Sequence, residues 1–256
     1  MSDEWIIFPS TRTANQAFIF FDHGLSEQID QLSQRFVVRC VVKLKSPTEE
    51  GMPANEEFDS LMSLEDELVG RVADSGCVYV GRITAEGSRQ FIFYSGGDAA
   101  ALETLASQVG EQTTYEISAS SSPDPDKRVY WDELFPTEPD WRVINDMQVI
   151  EALEEHGDDQ SVEREIQHWV YFPHRELKDA FIPWATAAGY AVEETEKEND
   201  SDEYGLVLSH LCKPDLITIS SFTLELLEEA KAQGGKYDGW ETYVIRPENT
   251  GETATH

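Results

Sequence analysis

The order in which apolar periodicities follow one another constrains this chain more than any single motif. From Phe36 the run FVVRCVVKLK is β-branched and strand-like. Asn55, a good N-cap, opens a stretch to about Val72 in which Phe58, Leu61, Met62, Leu68, Val69 and Val72 recur at helical spacing. Cys77–Thr84 and Arg89–Tyr94 read as two strands joined by a hairpin at AEGS. Asp98 can cap a helix presenting Leu102, Leu105, Ala106 and Val109, with Gly110 as its left-handed stop. Tyr115–Ser118 reads as a last strand. The order is β-α-β-β-α-β, preceded by two short apolar runs, Trp5–Phe8 and Ala17–Phe21.

The second half gives the same order behind one leading helix. Asp140 is expected to cap that helix, Val143, Met147, Ile150 and Leu153 to form its stripe, and Gly157 to end it. Val162–Phe172 reads as a strand. A helix follows to about Ala188 with Leu177, Phe181 and Ala185 four apart; Pro183 inside it predicts a kink or a restart. Tyr190–Thr195 and Tyr204–Lys213 are strands flanking the acidic turn EKENDSDE. Ser220 or Ser221 is expected to cap a helix carrying Phe222, Leu226, Leu227 and Ala230, and Tyr237–Arg246 to be the last strand. The fold class expected is therefore α+β: two ferredoxin-like β-α-β-β-α-β sandwiches with antiparallel sheets, two helices on one face of each. The Ser-, Pro- and Asp-rich stretch Ser118–Pro139 reads as the seam, giving domains 1–137 and 138–256.

Charge narrows the function. Nineteen basic residues face 50 acidic ones, a formal net charge of −31. Residues up to and including Glu138 carry 10 basic and 24 acidic residues, so −14; the rest carry 9 and 26, so −17. The acidity belongs to both halves rather than to a tail. Such surfaces repel phosphate backbones, which argues against direct nucleic-acid binding and for basic partners. Exposed aromatics on a ferredoxin-like sheet can stack RNA bases, but this half lacks the basic face that RNA requires.

The start, MSDEWIIFPS, has no basic region followed by an apolar run, so no secretion signal is read there. No stretch approaches the roughly 18 consecutive apolar residues of a membrane span. Cys40, Cys77 and Cys212 suggest no disulfide framework, and a cytoplasmic, reducing location is expected. No phosphate-loop, zinc-protease or nucleophile-elbow motif occurs. Ser95-Gly96-Gly97-Asp98 is best read as a turn with an Asp cap. His168, His210 and Cys212 would have to converge from adjacent strands to hold zinc, and satisfied sheet histidines are the simpler reading. No cofactor and no metal is expected.

The second half resembles the regulator of ribonuclease activity B family over roughly Asp140–Pro247. The matching residues are Glu165-Ile166-Gln167-His168-Trp169, Ala187-Ala188-Gly189-Tyr190 and Lys236-Tyr237-Asp238-Gly239-Trp240-Glu241-Thr242-Tyr243. The resemblance implies a small α+β protein that binds ribonuclease E and inhibits it without chemistry of its own. The strand-helix junction Phe172-Pro173-His174-Arg175-Glu176 is mixed in charge where that family is acidic. The first half is similar to an uncharacterised domain family through Trp5, Glu49-Gly51-Met52-Pro53, Gly81-Arg82 and Asp124-Pro125 to Trp131, Leu134 and Phe135-Pro136.

The function expected is a non-enzymatic protein-interaction module docking ribonuclease E or another basic protein. Its partner-binding candidates are His168, Trp169, Tyr237, Asp238, Trp240 and Tyr243, with acidic support from Glu193, Glu194 and Glu196. The competing expectation is a ligand-binding or hydrolase-like enzyme with a site between the two domains.

Overall fold

Two antiparallel sheets organise the chain, each inside its own compact unit: Met1–Asp140 and Trp141–His256. The computed structural model describes residues 4–10, 12, 16–73, 76–97, 104, 108–194 and 203–246.

The first sheet has six strands among the described residues: β1 (Trp5–Pro9), β2 (Ala17–Asp22), β3 (Phe36–Lys43), β4 (Val78–Ala85), β5 (Ser88–Ser95) and β6 (Ile117–Pro123). Their spatial order is β1-β2-β4-β5-β3-β6, every neighbour antiparallel. Four strands were expected. The two apolar runs at the start add β1 and β2 to the β4 edge, because Phe18 and Phe20 find partners at Thr84 and Arg82.

Helix α1 (Phe58–Ala73) buries Leu61, Leu64, Leu68 and Val72, spaced by three or four residues, against Val38, Cys40, Phe91 and Phe93. Asn55 does not cap it. Asn55–Glu57 forms a 3-10 turn that runs into the helix without a side-chain cap. Residues 108–113 are helical, and Val109 joins the same core. The expected cap Asp98 and the positions Leu102, Leu105 and Ala106 lie outside the described residues.

The expected seam is folded structure. Ser118–Ser122 form most of edge strand β6, paired to β3; small polar side chains suit a strand with one solvated edge. Asp124 then takes three donors: Tyr94 Oη at 2.6 Å, Arg128 N at 2.9 Å and Val129 N at 3.0 Å. Those bonds start a short π-helix (Val129–Leu134), and Tyr130 Oη donates to the Asp22 carbonyl at 2.8 Å. Burial works against the Asp124 carboxylate, but Tyr94 and the two amides outweigh it and hold its pKa below the usual range.

The second sheet has four strands among the described residues: β7 (Arg164–Phe172), β8 (Ala191–Glu194), β9 (Tyr204–Cys212) and β10 (Lys236–Glu241), in the order β10-β7-β9-β8. All neighbours are antiparallel. Helix α2 (Glu138–Glu155) leads into it; α3 (Arg175–Ala187) joins β7 to β8 and α4 (Leu216–Ala232) joins β9 to β10. Phe181 and Ala185 of α3 and Leu226 and Ala230 of α4 share a core with Val170, Phe172, Leu206 and Leu208 of the sheet.

Local details depart from expectation for definite reasons. Thr137, not Asp140, stands at the start of α2. Asp140 N donates to Thr137 Oγ1 (3.3 Å), and the Asp140 carboxylate accepts from Thr137 N (2.9 Å), a reciprocal capping box. Helix α4 starts before Ser220, capped by Asp215, which accepts from Thr218 N at 3.0 Å. Helix α3 runs through Pro183 without a restart, and Gly189 (φ +96°) ends it, with Tyr190 N donating to the Ala185 carbonyl. Strand β10 stops at Glu241, well short of Arg246.

Gly81 is where the first sheet tolerates no side chain. It sits in the bulge between Tyr79 and Gly81 with φ +153°, and a Cβ there would lie 2.5 Å from the Phe20 carbonyl oxygen. Replacing it with alanine should cost about 2–4 kcal/mol by forcing β2 and β4 apart. Chemical denaturation of the variant against the parent measures this.

Candidate functional site

Alternation along β7 decides which side chains of the second sheet can meet a partner. Residues Arg164, Ile166, His168, Val170 and Phe172 are buried, while Glu165, Gln167, Trp169 and Tyr171 are not. Register extends each set across the sheet. Trp240 and Leu208 stand opposite His168 on the inner side. Gly239 and Val207 stand opposite Trp169, and Glu193 opposite Val207, on the outer side. His168 and Trp169 are adjacent in sequence and serve opposite faces.

The inner face carries a polar node. Asp146 of α2 is fully buried and accepts four hydrogen bonds: from Arg142 Nε (3.1 Å), Trp240 Nε1 (2.9 Å), Ser220 Oγ (3.2 Å) and Thr223 Oγ1 (2.5 Å). The donors come from α2, β10 and α4, so one carboxylate ties three elements together. Burial raises the Asp146 pKa, and the donors only partly offset it. Arg142 also donates to the Asp238 carbonyl at 3.3 Å and lies over the Tyr237 ring, 5.3 Å from its centroid.

Beside the node, His168 Nδ1 lies 2.9 Å from Tyr237 Oη, and His168 Nε2 lies 3.0 Å from His210 Nε2. The two imidazoles stack at 14°. Burial raises the Tyr237 phenol, so it keeps its proton. Burial, then the neighbouring His210 and Arg142, push His168 down to about 3, and burial lowers His210 as well. Both rings are thus neutral near pH 7. Two arrangements satisfy both contacts: Tyr237 O–H donates to His168 Nδ1 and His168 Nε2–H to His210 Nε2, or His210 Nε2–H donates to His168 Nε2 and His168 Nδ1–H to Tyr237 Oη. Cys212, two residues on from His210, is pushed up to about 11 by burial, then by Asp215 and Glu163, and is a poor nucleophile. Among the described residues no group of three His, Cys, Asp or Glu side chains is placed to hold a metal ion.

The outer face has a different character. Trp169, Tyr171 and Val207 are half-buried at its centre, and Leu211 is 66% exposed. Glu165, Glu193 and Glu241 are exposed around them. Asp238 is exposed at a bulge beside Gly239 and holds Lys236 Nζ at 3.0 Å. The result is an apolar patch with an acidic margin.

The expected contact residues therefore divide. Trp169, Glu193 and Asp238 lie on the outer face, and Tyr243, 58% exposed, lies just past β10. His168, Tyr237 and Trp240 are buried at 0%, 5% and 7% exposure, so they offer no surface and support the sheet from within. Glu194 pairs with Leu206 through its backbone, and its side chain lies outside the described residues, as does all of Glu196. The partner-binding candidates read from the sequence left out Tyr171, Val207 and Glu241. Counting by twos from Trp169 finds Tyr171 and Glu165; Val207 and Glu241 become visible only with the register.

A family model described as "Family of unknown function (DUF695)" matches residues 3–135, just over half of the chain. The chain belongs to that family. The model described as "Regulator of ribonuclease activity B" (RraB) matches residues 144–242, which contain Asp146 and all its donors but Arg142, the histidine pair and the whole outer face. No curated protein matches the chain significantly. Among solved structures, a protein assigned as a glycine cleavage system transcriptional repressor is 8% identical at a TM-score of 0.25, covering 82% of this chain and 99% of its own. A protein of unknown function from Galdieria sulphuraria is 10% identical at a TM-score of 0.22, with the same coverages. At such scores neither bears on function.

The histidine pair predicts a pH response of the second unit. The folded pKa of His168 lies below its unfolded value, so its contribution to stability is present above pH 6.5 and is lost as pH falls toward about 3. Between pH 6.5 and pH 5 unfolding should become easier by about 2 kcal/mol, at about 1.4 kcal/mol per unit. Denaturant titrations across that window should show the slope, and His168→Asn should flatten it.

Proposed function

We propose that residues 138–256 form a non-catalytic docking domain that regulates a ribonuclease, with ribonuclease E as the partner and the outer face of the second sheet as the contact. The match to the regulator of ribonuclease activity B family over residues 144–242 carries this reading. The chemistry of the face supports it. Aromatic residues ringed by acidic ones suit a basic segment that brings an apolar anchor, since buried aromatics dominate binding energy and rim charges steer the encounter. A protein carrying −31 reaches RNA metabolism more readily through such a partner than by gripping RNA. Action in the cytoplasm belongs to the same reading. No described helix is long and apolar enough to cross a membrane.

In this account His168, Tyr237 and Trp240 keep the sheet in shape, and Trp169, Tyr171, Glu193 and Glu241 meet the partner.

Calorimetric titration of ribonuclease E into the full chain at low salt should give saturable binding that weakens as salt screens the acidic rim. Trp169→Ala should weaken it about tenfold or more, the usual loss for a central aromatic anchor, with the thermal midpoint unchanged. Absence of binding at low salt would exclude ribonuclease E. Full binding by Trp169→Ala would exclude this face.

A further inference from the structure

The first unit contains a cavity of about 290 Å³ where β1 and β2 carry the sheet past the cover of α1. Ile7, Phe18, Phe20 and Phe58 form its apolar walls, and Arg82 and Arg89 also line it. Ile7 and Phe58 are about half exposed at its rim (48% and 51%), whereas Arg82 and Arg89 are 8% and 4% exposed. Two guanidinium groups are thus buried against hydrocarbon in a chain of −31.

Glu65 and Glu57 balance their charge, but their hydrogen bonding is incomplete. Glu65, 6% exposed, accepts from Arg82 Nη1 and from Tyr79 Oη (2.8 Å) through the same oxygen, Oε1. Arg82 also stacks over the Phe20 ring at 4.2 Å. Arg89 Nε donates to Thr84 Oγ1 at 3.1 Å, but its Nη1 is buried and makes no hydrogen bond to any described group. It forms an ion pair with Glu65 Oε2 at 4.0 Å, too long for a hydrogen bond, so that oxygen is unbonded as well. Glu57, whose charge also reaches Arg89, is committed to the amides of Lys45 and Ser46. A buried guanidinium without its full set of acceptors costs stability unless something supplies them.

We propose that this cavity is a binding site for a small carboxylate with an apolar body, its carboxylate held by Arg89 and Arg82 and its hydrocarbon against Ile7, Phe18, Phe20 and Phe58. A carboxylate offers the bidentate acceptor geometry that guanidinium prefers and supplies the acceptor that Arg89 Nη1 lacks. The volume limits the size. At about 30 Å³ per water-sized group it takes about ten non-hydrogen atoms, the size of octanoate. Strands β1 and β2 then have a purpose beyond widening the sheet, since they build one wall and the rim.

The test is calorimetric titration of the full chain with octanoate and with octan-1-ol, which keeps the hydrocarbon and removes the charge. Octanoate should saturate a single site, and octan-1-ol should bind about tenfold or more weakly, the loss expected for a charge-assisted pair. Arg89→Gln should abolish the preference for the acid. Ile7→Glu, placed on the exposed rim, should weaken octanoate binding without moving the unfolding midpoint, which separates ligand loss from misfolding. Lack of saturation at millimolar octanoate, equal binding of acid and alcohol, or parental affinity in both variants would overturn the proposal.

Discussion

The second unit depends on one buried carboxylate. Asp146 takes donors from its own helix, from the last strand and from the last helix, and it has no exposure to water with which to replace any of them. Losing one donor would leave a buried charge under-bonded, which costs more than an ordinary hydrogen bond is worth. That asymmetry holds α2 in place and positions Trp240 beneath β7. The inner side of the sheet is therefore occupied, which is why the proposed partner contact is assigned to the outer side.

Asp124 has the matching part in the first unit. Its three donors bend the chain after β6 and bring Tyr130 to Asp22. In both units the acidic excess is not only surface charge: a few carboxylates are buried where backbone amides and hydroxyls converge. The surplus remaining outside, around Trp169 and Tyr171, is what a basic partner would meet.

Much of the element order could be read from the chain, because it rests on local periodicity. Phe36–Lys43 was legible as a strand from its β-branched run, and Leu61, Leu68 and Val72 marked α1. What depends on distant partners was not. The Ser-rich stretch reads as a linker until Val38 and Cys40 are seen pairing with Ser121 and Ala119. Trp5–Phe8 and Ala17–Phe21 give no sign that they extend a sheet built from residues far along the chain. Caps were misplaced by a few residues because Asp, Ser and Thr all satisfy the local rule, and only the backbone shows that Asp215 and Thr137 take the role. Burial of His168 and Trp240 beside half-buried Trp169 follows from strand alternation, but which set faces inward is fixed by the helices above the sheet.

Hydroxyl-radical footprinting of the full chain, alone and with ribonuclease E, tests the central claim most directly, since it reports side-chain exposure residue by residue. Trp169 and Tyr171 should become protected in the complex, while Trp240 should be unreactive in both states. Protection confined to α3 and α4, with Trp169 as reactive as in the free chain, would contradict it.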